Sequence, residues 1–270
     1  MIRFDAQNKV FYLNTKSTTY AFGVFRNVLT HLYWGKLLKN ELDSESIYSE
    51  YSAKNLSAND IGNLSTDIIP LEFSAYGGAD QRTTAFKGVH NDGSRISKFN
   101  YVDYEIKEGK TKLAGLPATY CEDGDKVDTL TVHLVDDLKN LHIYLTYSVF
   151  EDYDAITRSV RIVNSGEKFR LTNALSATVD FVSADDMDII HLDGAWARER
   201  FITRNTIVKG NQNVESFCGA SSAFHNPFIA ICDKNAIHFS LWCIKMQPSL
   251  MAKFMDLILF TAVTLQQVLI

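Results

Sequence analysis

Between Thr129 and Val163 the chain alternates apolar and polar residues through three successive runs, and that pattern restricts the fold more than any other stretch. Leu130, Val132 and Leu134 alternate with Thr131 and His133. Leu141, Ile143, Leu145, Tyr147 and Val149 alternate with His142, Tyr144, Thr146 and Ser148. A period of two is that of strands with one buried face. The third run sets Ile156, Val160 and Ile162 against Thr157, Ser159 and Arg161. The connections, Asp136 to Asn140 and Glu151 to Ala155, are short, polar and rich in Asp and Asn, as hairpin loops are. An antiparallel meander is therefore predicted here.

The rest of the chain extends that reading. Val10-Phe-Tyr-Leu and Thr18 to Phe25 are strand-like, and further strands are predicted at 84–89, 94–106, around 112–120, at 169–180, 187–192 and 203–209. Residues 40 to 70 turn polar and lose periodicity, which predicts a long surface excursion. With 46% hydrophobic and 12% aromatic residues in 270, the chain can bury a large core. The sum of about fifteen or more short strands points to one all-β domain built as two packed sheets.

Charge and cysteine usage exclude several functions. A formal net charge of -5 offers no basic footprint, so no nucleic-acid partner is expected. Cys121, Cys218, Cys232 and Cys243 are far apart with no Cys-x-x-Cys pair, so small buried thiols are expected rather than a zinc site or a disulfide framework. No metal-ligand spacing, phosphate loop or dinucleotide fingerprint is visible, and no metal or cofactor is expected. His133, His142 and His191 are read as single hydrogen-bonded histidines on strands, and Asp185, Asp186 and Asp188 as a solvated loop. The start lacks the apolar core of a signal peptide, so a cytoplasmic location is expected.

Five motifs in order carry a family resemblance: His31-Leu-Tyr-Trp-Gly-Lys, Tyr76-Gly-Gly-Ala-Asp-Gln-Arg, Gly115-Leu-Pro-Ala-Thr-Tyr, Gly194-Ala-Trp-Ala-Arg-Glu-Arg, and Gly219-Ala-Ser-Ser leading into Asn226-Pro-Phe. Together they resemble the N-terminal domain of family 36 glycoside hydrolases, the α-galactosidases, over residues 1 to 235. The resemblance implies a large antiparallel β-supersandwich, followed in the family by a catalytic (β/α)8 barrel and often assembled as a homotetramer. It implies α-1,6-galactosides such as melibiose, raffinose and stachyose as substrates, hydrolysed by a retaining double displacement between two carboxyl groups. In the family both are Asp residues of the barrel. This chain stops before a barrel begins, so no catalytic residue is assigned and no hydrolysis by this chain alone is expected.

The resemblance stops at about Ala236. From there to Ile270 the only formal charges are Lys245, Lys253 and Asp256, and the fourteen uncharged residues from Leu257 are too few to span a bilayer, so no membrane partner is expected. Freely chosen codons for 250 to 265, read two bases displaced, can spell a string resembling the family's continuation. A truncated, frameshifted product with a poorly ordered apolar tail over 236–270 is the expectation.

Several residues are candidates for substrate binding or for a domain interface. Trp196, Arg198 and Arg200 are placed on one side of an extended segment with Glu199 opposite, either lining a sugar subsite or forming an Arg and Glu network at an interface. Trp34 either stacks on substrate or packs, Asp80 and Arg82 suggest a salt-bridged turn, and Asn226 completes the last motif. The alternative function is a stand-alone carbohydrate-binding or oligomerisation module.

Overall fold

The computed structural model describes residues 1–50, 60–61, 64–65, 69–77, 83–112, 119–179, 181, 186–208, 210, 212–214, 224–233, 239–245 and 256–262. The first part of the chain runs β1 (Ile2–Asp5), β2 (Val10–Asn14), β3 (Thr18–Phe25), β4 (Val28–Lys36), α1 (Ser44–Glu50), β5 (Asp60–Ile61), β6 (Leu64–Ser65) and β7 (Phe86–His90). It continues through β8 (Asn100–Glu108), β9 (Val127–Asp136), β10 (Leu141–Phe150), β11 (Ala155–Asn164) and β12 (Phe169–Ala174). The last strands are β13 (Met187–Ala195), β14 (Arg198–Thr206), β15 (His225–Asp233), β16 (Phe239–Lys245) and β17 (Asp256–Ala262).

Strands β1 to β4 form a four-stranded sheet in chain order, and the larger sheet has nine strands in the order β14-β13-β15-β16-β17-β11-β10-β9-β8. Two short ribbons, β12-β7 and β5-β6, complete an all-β architecture in which the paired strands are antiparallel. No (β/α)8 barrel occurs among the described residues.

The two sheets share one core. Phe11, Leu13, Tyr20, Phe22 and Val24 from β2 and β3 pack against Leu130, Val132, Leu134, Leu141, Ile143, Leu145, Tyr147, Val149 and Ile156. The large-sheet residues are the apolar members of the alternating runs, and each such side chain contributes about 1.5–3 kcal/mol when removed from water. The meander pairs as read, Leu145 facing Val132 on β9 and Val160 on β11. Asp154 closes the β10–β11 connection with φ of 50°, and its Oδ1 accepts from Thr15 Oγ1 at 2.7 Å and from the Ser17 amide at 2.8 Å. That ties the turn of one sheet to a turn of the other.

The second face of β2 and β3 is also covered. Val10, Tyr12 and Ala21 meet Leu32, Tyr33, Leu38 and Leu42, and Tyr48 of α1 packs with Ile69 against Phe25, Leu32 and Leu71. The expected surface excursion over 40–70 is thus in part an internal layer. Among its described residues the two in the hydrophobic core, Tyr48 and Ile69, are too widely spaced to register as a period.

The described part of the tail joins the large sheet. Two of its segments are strands: β16 pairs with β15, and β17 pairs with both β16 and β11. Both segments are rich in apolar residues, and the edges of β15 and β11 supply unpaired backbone groups for them to complete. Cys121, expected to be buried, is exposed, whereas Cys232 is buried.

Candidate functional site

The motif at Gly194 is a hairpin rather than an extended segment. Ala195 pairs with Arg198, leaving Trp196 and Ala197 as a two-residue turn between β13 and β14. Ala197 takes φ of 61° and Arg200 φ of 68°, as the tight turn and the register shift at Asp193 to Ala195 require. Gly194 lies under the returning strand, where a Cβ would collide with the Arg198 carbonyl. Reversal at the turn removes the alternation on which a one-sided Trp196, Arg198 and Arg200 row depended. Trp196 is 83% exposed, and Arg198, Glu199 and Arg200 are exposed beside it. Glu199 Oε1 accepts from the Ala197 amide at 3.0 Å and so stiffens the tip.

Of the other candidates, Trp34 belongs to the four-stranded sheet, whereas Asn226 follows His225 on β15, the strand that pairs with β13 of this hairpin. Trp34 is half-buried on β4, its ring 6.3 Å from that of Tyr20 and 5.9 Å from that of Phe181. Asn226 lies half-buried near the start of β15. Asp80 and Arg82 fall outside the described residues.

A polar cluster that the sequence did not disclose sits at the base of the hairpin. His191 and Asp193, two residues apart on β13, share a face, and Asp193 pairs across to His225 on β15. Asp193 Oδ1 lies 2.7 Å from His191 Nδ1 and 2.8 Å from His225 Nδ1. Thr203 Oγ1 donates to the other carboxylate oxygen at 2.7 Å, and Asn205 Nδ2 lies 3.1 Å from His191 Nε2. Burial works to raise the Asp193 pKa, but bonds from Thr203, His225 and His191 outweigh it and hold the carboxyl below its ordinary value. On the opposite face Asp188, expected in a solvated loop, is buried, receiving Arg204 Nε at 2.7 Å and Thr206 Oγ1 at 3.1 Å.

The sandwich interior holds a second undisclosed cluster. Glu72 and Arg158 are essentially inaccessible to solvent, with Nη1 to Oε1 at 2.8 Å. Tyr20 Oη donates to Glu72 Oε2 at 2.8 Å, Tyr147 Oη to Oε1 at 2.6 Å, and Arg158 Nη2 to the Glu72 carbonyl at 2.7 Å. Tyr20 belongs to the small sheet, and Tyr147 and Arg158 to the large one, so one carboxylate clamps the two. Burial, followed by the Glu72 charge, pushes the Tyr20 phenol well above its ordinary pKa. Burial does the same to Tyr147 against the opposing charge of Arg158. His31 lies 3.9 Å from Glu72, yet burial and the Arg158 charge lower its pKa to about 4, so at neutral pH it is an uncharged neighbour rather than an ion-pair partner. Arg158 shares the parity of Ile156 and Val160, and a charge in that apolar series was the available signal.

Outside the core, His133 and His142 are not single. Their rings stack, Nε2 to Nδ1 at 3.0 Å, His133 lies parallel to Tyr144, and Arg161 covers Tyr144 with Cζ 3.8 Å from the ring centre. These are facing residues of β9, β10 and β11.

Comparison with known proteins agrees with this geometry. Residues 27–240 match the model of the glycosyl hydrolase family 36 N-terminal domain. The chain is 39% identical over 239 residues to α-galactosidase AgaA of Geobacillus stearothermophilus, covering 87% of this chain and 32% of that protein. It is 35% identical over 244 residues to α-galactosidase Mel36A of Lactobacillus acidophilus, covering 88% of this chain and 33% of that one. The crystal structure of the family 36 α-galactosidase AgaB from G. stearothermophilus superposes with a TM-score of 0.85 at 32% identity, over 97% of this chain and 41% of that one. The chain spans about a third of the length of the curated relatives it matches. With its sheet architecture and its ordered motifs in agreement, this chain belongs to glycosyl hydrolase family 36, of which it carries the N-terminal domain.

Proposed function

We propose that this chain is the accessory β-supersandwich of a retaining α-galactosidase and does not hydrolyse galactosides by itself. The carrying observation is the state of its buried carboxylates. Among the described residues these are Glu72, Asp136 and Asp188. Glu72 is bound by Arg158, Tyr20 and Tyr147, and Asp188 by Arg204 and Thr206. Asp136 accepts from the amides of Lys98, Leu138 and Lys139 at 3.0, 3.1 and 3.2 Å. A retaining glycosidase needs two carboxyl groups about 5–5.5 Å apart, facing substrate and free to exchange a proton or a glycosyl group. All three carboxylates instead hold the fold.

The chemistry comes from a barrel, and the galactoside class follows from relatives such as the AgaA variant whose structure holds raffinose. The β13–β14 hairpin supports the accessory role, since Trp196, Phe201, Ile202 and Phe224 are all more than half exposed there. An apolar group of that kind is suited to cover by another domain. The test is hydrolysis of p-nitrophenyl α-galactoside by the purified chain. No release above buffer is expected, and turnover abolished by changing an acid of this chain would overturn the proposal.

A second reading, a stand-alone carbohydrate-binding module, rests on Trp196, exposed at the turn that leads into the exposed residues Arg198 and Arg200 of β14. Raffinose titration followed by tryptophan fluorescence, repeated on Trp196→Ala, distinguishes it: a saturable change lost in the variant favours the module.

A further inference from the structure

We propose that His191, Asp193 and His225 form a mononuclear site for a zinc-class divalent cation, with one coordination position open to solvent. One ring nitrogen from each imidazole and an oxygen of the carboxylate all lie within 4.8 Å of one another, and both Nδ1 atoms lie against the same Asp193 Oδ1 at 2.7 and 2.8 Å. Side-chain exposures of 12%, 28% and 42% leave the cluster reachable from one side. Two imidazoles with one carboxylate suit zinc, cobalt, nickel or copper rather than magnesium or calcium, which prefer all-oxygen sets. Three protein ligands with a fourth, water-filled position is an arrangement zinc adopts when its site stays open.

The surroundings are built as an outer shell. Thr203 holds the carboxylate oxygen that does not face the histidines, fixing the orientation of the ligating one. Asn205 holds the far nitrogen of His191. Zinc–ligand distances near 2.0–2.2 Å in tetrahedral geometry require ligand atoms about 3.3 Å apart. The observed separations of 2.7 and 2.8 Å must therefore open by roughly half an ångström. Without metal, each Nδ1–H donates to Asp193. With metal on Nδ1, that proton sits on Nε2, and Asn205 must present its carbonyl oxygen instead of its amide, a simple reversal of the side chain. The cation would staple β13 to β15 directly below the Trp196 turn.

The test is calorimetric titration of the chelator-treated full chain with zinc chloride, with the visible d–d absorption of cobalt(II) as a second readout of tetrahedral binding. One zinc per chain is expected, together with a rise in unfolding temperature. His225→Ala and Asp193→Asn should abolish saturable uptake, and Thr203→Ala should weaken it roughly 10- to 100-fold. His225 is 42% exposed, so its variant is expected to fold, with circular dichroism as the check. Two results would each overturn the site: no saturable uptake by the unaltered chain, or uptake unchanged in His225→Ala and lost in His133→Ala, which would assign binding to the surface stack.

Discussion

Replacing Arg158 by Met removes the positive half of the inter-sheet clamp while keeping similar length and bulk. The Glu72 carboxylate, wholly inaccessible to solvent, would then keep only the hydroxyls of Tyr20 and Tyr147 among its donors described above. Deleting one partner of a buried ion pair costs about 3–5 kcal/mol, because the other charge remains where water cannot reach it. A second route agrees. The variant loses two charge-assisted bonds, Nη1 to the carboxylate at 2.8 Å and Nη2 to the Glu72 carbonyl at 2.7 Å. At about 1.5–3 kcal/mol each these sum to roughly 3–6 kcal/mol. For a chain of this size about 2–4 °C accompany each kcal/mol, so the unfolding temperature should fall by roughly 6–20 °C. Urea unfolding at neutral pH, followed by circular dichroism, measures the difference. Adding Glu72→Gln removes the stranded charge, so the double variant should regain about 1–2 kcal/mol over Arg158→Met. An Arg158→Met protein within about 1 kcal/mol of the parent, or a double variant less stable than the single, would refute the clamp.

Two further expectations follow from the same geometry. The His31 imidazole titrates near 6.5 in the unfolded chain and at about 4 in the folded one, so between those values the unfolded state binds the extra proton. Stability is then complete above pH 6.5 and declines by about 3 kcal/mol as pH falls toward 4. His31→Gln should flatten that acid limb, and an unchanged limb would remove His31 from the account. Gly194→Ala places a Cβ against the Arg198 carbonyl and 2.7 Å from Glu199 Cα. Overpacking of that kind costs about 1–3 kcal/mol. On an edge hairpin the cost should emerge as faster amide exchange in β13 and β14 with little change elsewhere, and exchange rates equal to those of the parent would contradict the close approach.

Much of the architecture was legible along the chain because it depends on near neighbours. Alternation over 130–149 placed the correct faces of β9 and β10 in the core, since a strand's two sides are defined by parity alone. The ordered motifs identified the family for a similar reason: each is a short local signature. The turn at Trp196 was misread because parity continues through a reversal in one dimension but not in three. The tail strands β16 and β17 were missed because their partners, β15 and β11, lie elsewhere in the sequence.

The two polar clusters show where local reading ends. Glu72 lies in a loop and Arg158 on a strand 86 residues later, and neither has a sequence neighbour that announces the other. His191 and Asp193 share a face by spacing, yet His225 joins them only through the pairing of β13 with β15. Periodicity and turn chemistry thus determined that the chain is a large antiparallel sandwich and which side chains fill it. Which charges are buried together, and which ligands converge on one point, only the tertiary structure decided. Coulombic and coordinate interactions act across space between strands that the chain itself keeps far apart.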